Sequence, residues 1–342
     1  MLETGKKLWA NRWVQVSLGA IVSVGLAYVA VNRLAWRDVG DTFRHFPIDY
    51  AVWSTVPLIL AMILRAVRWS VLLQKEDVSF FHVLITQNAG IGLNNMLPVR
   101  VGSEALQLGL ITRRYKVPLA PALASLVGGN VLDIFATGIL MTVGIFLVPG
   151  LRDGAISIQL LGAIVMLSVS LLVLIGVSRG MSSIPVARNI GFFNRVIGSL
   201  SDLRGHPNWL ILSFVATLSH WFLIGVSGWI LAMGLGIDTD PLTMATLLVA
   251  ATFFTSAMLS LPGGAGTYHF AVVAMLTAMG SNGEVAFSFA VVMHLLVFVP
   301  PMIIALAVIL RAGTSALLNR DVQPDATVPT SLRDDANRPA KR

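Results

Sequence analysis

The sequence predicts an all-α polytopic membrane protein: about six full spans plus two broken, re-entrant helix hairpins, the whole built as an inverted repeat. Three observations carry this reading. Mean hydropathy is +0.79. Charged residues make up 12% of the 342, against about 25% in soluble domains. Apolar runs near the roughly 20 residues that cross a bilayer recur along the chain, and two of them are interrupted by similar Pro/Gly breaks.

The elements follow in order. Trp13–Leu34 is the first span. It follows the basic segment Met1–Arg12 and runs on to Asn32 and Arg33 without a small-x-small cleavage pattern, so it is read as retained. Tyr50–Leu73 is the second, with Arg65 and Arg68 in its later half. Phe80–Tyr115 is broken at Leu97–Gly102. Ala120–Val148 carries Asn130 and Asp133, and Ile156–Val177 is a clean apolar span. Trp209–Leu235 carries His220. Leu242–Met279 is broken at Leu261–Gly266, and Val285–Leu310 carries His294 and Pro300–Pro301. Each half of a broken region is marginal for spanning alone, and irregular backbone at membrane depth needs cover from protein or a wet cavity. The domain division is 1–34 for the N-terminal helix and 35–312 for the membrane domain. Within the latter, repeat 1 covers about 50–149, the linking span 156–177 and repeat 2 about 207–311. Residues 313–342 form a polar, proline-containing tail expected to be disordered and cytoplasmic.

Charge distribution sets the expected orientation. With the N-terminus cytoplasmic and both broken regions returning to their side of entry, cytoplasmic segments hold Lys6, Lys7, Lys75, Arg113, Arg114, Lys116, Arg179, Arg188 and Arg204. Outer segments hold Arg33, Arg37, Arg44 and Arg152, balanced by acids such as Asp38, Asp41, Asp238 and Asp240. This is the positive-inside asymmetry of an inner-membrane protein with both termini cytoplasmic. The net charge of +7 therefore reflects topology and not a nucleic-acid partner. There is no cysteine, which excludes disulfide and zinc-thiolate frameworks, and no cofactor is expected.

The two breaks resemble each other. Leu97-Pro98-Val99-Arg100-Val101-Gly102-Ser103 aligns with Leu261-Pro262-Gly263-Gly264-Ala265-Gly266-Thr267 at an offset of 164 residues. At that offset Asn130 meets His294. The unit is helix, broken hairpin, helix, and one intervening span would invert the second unit relative to the first. Inverted repeats with broken helices point to a transporter with a midplane site. In each break a Pro is expected to open the second half-helix, with Gly and a hydroxyl residue following. The exposed N–H groups and positive dipole end of such a terminus suit a lipid phosphate; the alternative is a packing kink.

Charged residues inside spans cost about 2.5–3.5 kcal/mol each on insertion scales. Arg65 and Arg68 share one helix face and either snorkel, form a structural pair or meet ligand. Arg100 lies in the first break, where it either meets a phosphate or carboxylate or ties the broken backbone together. Asp133 is expected to face the bundle and pair with an arginine. Glu104, with Ser103, either caps its half-helix or faces ligand. His220, His269 and His294 permit proton coupling or simple packing. The sequence has no His-Glu-x-x-His, no Gly-x-Ser-x-Gly and no Gly-x-x-x-x-Gly-Lys motif.

Leu64-Arg65-Ala66-Val67-Arg68-Trp69, Asn95–Gly102, Asp133 and Leu261–Gly266 together resemble the lysylphosphatidylglycerol synthase transmembrane-region family, also called the flippase-like domain. The resemblance runs from about Tyr50 to Arg311. It implies movement or presentation of a polar or isoprenoid lipid across a bacterial inner membrane. The chain departs from the family pattern at Tyr268 and His269, at Gly129 and Asn130, at His294, and at Ser103 before Glu104. The aminoacyl-transferase domain of full-length synthases is not within this sequence, so no enzymatic activity is expected.

The expected substrate-binding set is Arg65, Arg68, Pro98, Arg100, Gly102, Ser103, Glu104, Asn130, Asp133, Pro262, Gly263, Gly264, Gly266, Thr267, His269 and His294. Expected partners are an anionic or isoprenoid lipid, the bilayer, and a lipid- or glycan-modifying enzyme. Three rival readings stand beside transport. One is a non-transporting accessory subunit of a lipid or glycan transferase. Another is an intramembrane enzyme using a histidine with Ser103, Ser219 or Ser260. The third is a small-ion transporter using Asp133.

Overall fold

The computed structural model describes residues 12–97, 103–147, 205–257 and 260–318. These form α1 (Arg12–Val31), α2 (Trp36–Arg44), α3 (Ile48–Leu72), α4 (Phe80–Met96), α5 (Ser103–Arg113), α6 (Leu119–Leu147), α7 (Pro207–Gly234), α8 (Pro241–Ala257), a 3-10 turn at Pro262–Gly264, α9 (Thr267–Ala278) and α10 (Gly283–Leu318). Every described element is helical. Helices α3, α6, α7 and α10 are long and apolar enough to cross a membrane; α1 and α2, bent by 85° at their junction, add a fifth if taken as one span.

The sequence-predicted spans map closely onto these. Tyr50–Leu73 is α3, Ala120–Val148 is α6, Trp209–Leu235 is α7 and Val285–Leu310 is α10. Ile156–Val177 lies outside the described residues. The first span is shorter than predicted, because the helix stops at Val31 and the chain turns sharply into α2, a nine-residue helix that the sequence reading left in a loop. At the other end α10 continues to Leu318, so its helix runs into the segment expected to be disordered.

Each broken region is a pair of short helices lying against each other. A Cβ on Gly90 of α4 would press on Gln107 of α5, and Phe254 of α8 meets Phe270 of α9 at 6.0 Å between ring centroids. The unit helix, broken pair, helix thus occurs twice. The starts of α5 and α9, and of α6 and α10, are both 164 residues apart.

The units join through α3 and α7. Ser213 Oγ donates to the Arg68 carbonyl at 3.2 Å, His220 Nδ1 to the Ala61 carbonyl at 2.8 Å, and Ser227 Oγ to the Ser54 carbonyl at 2.8 Å. Both series step by seven, one rising as the other falls, so α3 and α7 run antiparallel with the heptad spacing of closely aligned helices. Without a hydrophobic drive between helices, close backbone approach matters. Gly92 lets α4 touch the Pro301 carbonyl of α10, and Gly144 lets α6 seat against Thr246 of α8; a Cβ at either position would collide. Outward, α3 and α7 expose Trp53, Ile59, Ile211 and Val215, an apolar perimeter suited to acyl chains.

Helix α1 packs across the second break. Ser23 Oγ accepts the Leu261 N–H at 2.8 Å, and Gly266 lies so close to the Ser23 carbonyl that a Cβ would collide. The N-terminal helix is therefore part of the membrane fold and not an appendage.

Candidate functional site

The two broken pairs meet. The Asn95 carbonyl, just before the first break, lies 3.8 Å from where a Cβ on Gly263 would sit in the second. Between the units is a cavity of about 410 Å³. From α3 it is lined by Ala61, Met62 and Arg65; from α4 by Asn88, Asn94 and Asn95; from α5 by Ser103 and Glu104. The second unit contributes His220 and Trp221 from α7, Thr252, Thr255 and Ser256 from α8, then Gly263, Tyr268 and Phe298.

Helical spacing puts these polar groups on inward faces. Asn88 and Asn95 are two turns apart on α4, and Thr252, Thr255 and Ser256 share one stripe of α8. Both helices start with their orphan N–H groups capped. Ser79 Oγ accepts from the His82 amide at 3.4 Å. The Asp240 carboxylate accepts from the amides of Leu242 at 2.9 Å and Thr243 at 3.1 Å, and from the Thr243 hydroxyl.

Arg65 and Arg68, on the same face of α3, have separate fates. Arg68 is 4% exposed and forms an ion pair with Asp133 at 2.8 Å. Asp133 also accepts the Trp221 indole N–H at 3.0 Å, so one carboxylate ties α3, α6 and α7 together. The expected pairing of Asp133 with an arginine is present, and Arg68 does not snorkel. Arg65 faces the cavity, and its buried Nε has no hydrogen-bond partner. Behind it a crevice of about 10 Å³ is bordered by Arg65, Arg68, Gln87, Glu104, Gln107 and Asn130. That space holds no more than about one water.

Of the predicted set, Arg65, Ser103, Glu104 and Gly263 line the cavity. Arg68, Asn130 and Asp133 stand behind its wall. Pro98, Arg100 and Gly102 lie outside the described residues. His269 and His294 stack at 4.7 Å beyond Tyr268 and Phe298, and neither lines the cavity.

The second break differs from its predicted form. Pro262 opens a separate 3-10 turn and not the half-helix, which begins at Thr267 with Gly266 as its N-cap. Gly263, Gly264 and Gly266 have φ of 65°, 75° and 85°, a left-handed region that side chains resist, which is why three glycines recur here. The amides of the turn before that half-helix are largely spent. The Leu261 N–H goes to Ser23, the Gly264 N–H to the Leu261 carbonyl at 2.9 Å, and the Gly266 N–H to His269 Nδ1 at 3.4 Å. Thr267 donates its hydroxyl to the Gly264 carbonyl at 2.9 Å. The turn is thus braced by its own hydrogen bonds and by α1.

The sequence reading missed Asn88, Asn94, Asn95, Thr252, Thr255, Ser256, Trp221 and Tyr268 as site residues. The available signal was the polar stripe within each apolar half-helix, where a bilayer-exposed helix would carry none.

A search of curated proteins finds no match to this sequence. The sequence profile described as the lysylphosphatidylglycerol synthase TM region matches residues 16–305, beginning within α1 and therefore well before Tyr50. With paired broken helices enclosing a polar chamber in a helical membrane fold, and with most of its length matched, the chain belongs to the lysylphosphatidylglycerol synthase TM-region family.

Proposed function

We propose that this chain moves or presents a polar or isoprenoid phospholipid across the bacterial inner membrane. The head group would enter the chamber between the units while its tails stay in lipid. The observation that carries this reading is Arg65: a guanidinium at membrane depth, facing a 410 Å³ chamber, with a buried Nε that has no partner. Such a group is costly unless an anion meets it. Arg100, in the first break, is proposed as the second cation. Membership in a lipid-related membrane family supports the same reading.

The proposed architecture is an inverted repeat with six full spans and two re-entrant pairs, both termini cytoplasmic. The antiparallel register of α3 against α7 and the 164-residue recurrence of helix starts support it. Transport is proposed to be non-enzymatic, driven by a gradient or by a lipid- or glycan-modifying enzyme that consumes the product; nucleic acid has no part in it.

The test is a leaflet-resolved assay in liposomes with the purified chain. Wild type moves an anionic lipid. Arg65→Ala lowers the rate by about ten- to a hundredfold, as expected when a charge-assisted contact worth about 1.5–3 kcal/mol is lost and the chamber is left without its cation. Thermal unfolding is measured beside it, so that a loss of movement is read on folded protein. Absence of movement under any imposed gradient overturns the transport reading.

A further inference from the structure

We infer that the chamber takes a phosphodiester lipid whose head group carries one uncharged, polyhydroxylated ring. This rests on the transport reading and names the substrate class of the same chamber.

The argument is a balance of donors and acceptors. A phosphodiester offers only acceptors, and Arg65 answers it. The remaining wall mixes the donors of Asn95, Ser103 and Tyr268 with a set of acceptors. Asn94 Oδ1 is buried and has no partner. Thr252 spends its hydroxyl proton on the Leu248 carbonyl at 2.8 Å and presents only lone pairs to the cavity. His220 gives its Nδ1–H to the Ala61 carbonyl, so the neutral ring presents Nε2 as an acceptor. Glu104 adds a carboxylate. A bare phosphate would leave these without donors, and an unanswered acceptor that is buried, as on His220, costs about 1–3 kcal/mol.

The complementary group is a cluster of O–H donors beside the anion. An ammonium would satisfy Glu104 but would leave the neutral acceptors on α4, α7 and α8 unmatched. Trp221 and Tyr268 supply flat apolar surface at the same chamber, which suits the C–H face of a ring. The volume of 410 Å³ lies at the small end of the about 300–1,000 Å³ typical of ligand pockets, room for one ring and not for an oligosaccharide. Isoprenoid and glycerol anchors present this same head-group chemistry, so both are tested.

The experiment uses the full chain in liposomes containing, one at a time, phosphatidylinositol, a monohexosyl polyprenyl phosphate, phosphatidylglycerol and phosphatidylethanolamine. Both flipping rate and binding, read by the chamber's tryptophan fluorescence, are recorded. At least one ring-bearing lipid is expected to be preferred by about tenfold over both others, as one satisfied hydrogen-bond set predicts. The anchor that is preferred identifies the source. Asn94→Leu with Thr252→Val lowers that preference below about twofold. Thr252→Ser, which keeps the acceptor, retains it and guards against misfolding as the explanation. Equal handling of phosphatidylglycerol or phosphatidylethanolamine overturns the inference and leaves transport standing. So does a preference that survives the double substitution in a folded protein. If no lipid moves, the transport reading falls, and the binding preference alone then decides the head-group class.

Discussion

The two helical units share an order of elements but not a chemistry. The first, α3 to α6, carries Arg65, Arg68, Glu104 and Asp133 on its helices, three of them well inside apolar segments. The second, α7 to α10, has charges only outside or at the ends of its apolar spans, at Asp238, Asp240, Glu284 and Arg311, and fills the equivalent interior with hydroxyls, imidazoles and aromatic rings. The first unit must neutralise itself, and it does so with the Arg68–Asp133 pair. The second must hold a glycine-rich backbone in place, and it does so with α1 and with hydrogen bonds inside the break. Element order and spacing are what the units repeat; charge and bracing are divided between them.

The sharpest way to break that division is to remove Asp133. Asp133→Ala leaves Arg68 buried without its carboxylate and frees the Trp221 indole, and breaking a buried pair costs about 3–5 kcal/mol. The expected result is loss of the monodisperse species in detergent or a large drop in Tm. Replacing both partners, Arg68→Met with Asp133→Leu, should recover most of the stability, because an apolar pair carries no desolvation penalty. Failure of that rescue would mean that Asp133 does more than neutralise Arg68.

The bracing of the second unit is tested by two glycines in one turn. Gly266→Ala meets both a φ of 85° and the Ser23 carbonyl of α1. Gly263→Ala meets a φ of 65° but finds its nearest neighbour, a Phe298 ring carbon, at 3.4 Å. The backbone strain alone costs about 1–3 kcal/mol at each, and the collision adds to it only at Gly266. Thermal unfolding should rank Gly266→Ala well below Gly263→Ala. Equal losses would show that α1 does not clamp the break.

Much of this was readable from sequence, and the failures have physical causes. Span positions emerged because about 20 apolar residues in a row have few other readings. The Asp133 pairing emerged because an isolated carboxylate at that depth is too costly to leave alone. The role of α1 did not, since its contacts through Ser23 reach residues more than 200 positions away and nothing local encodes them. Helix α2 was missed because nine residues with two aspartates look like a loop when hydropathy is averaged. The chamber's amides and hydroxyls were missed for a related reason. Hydropathy sums over a helix, whereas Asn88, Asn95 and Thr252 matter through the face they occupy. Pro262 and its glycines drew attention as an anion site, yet those positive φ angles serve the turn itself.

The smallest expected effect uses the second unit's Asp240 as a counterpart to Asp133: the same residue type, placed at a helix start outside the spans. Partial burial raises its pKa, but hydrogen bonds from the Thr243 side chain and from the Thr243 and Leu242 amides outweigh that and hold the carboxyl below its usual value. A lowered folded pKa means that the carboxylate contributes stability above the unfolded value. That contribution is lost as pH falls through the folded one. Asp240→Ala should therefore cost about 1 kcal/mol at neutral pH, the usual worth of an N-cap, and the gap from wild type should close under acid. Asp240→Asn keeps one acceptor oxygen and should lose less. Measured beside Asp133→Ala, the two aspartates separate the cost of an unpaired charge inside the bundle from the cost of an uncapped helix at its rim. A loss at Asp240 as large as that at Asp133 would show that entry into α8, and not charge pairing in the first unit, governs the stability of the chamber.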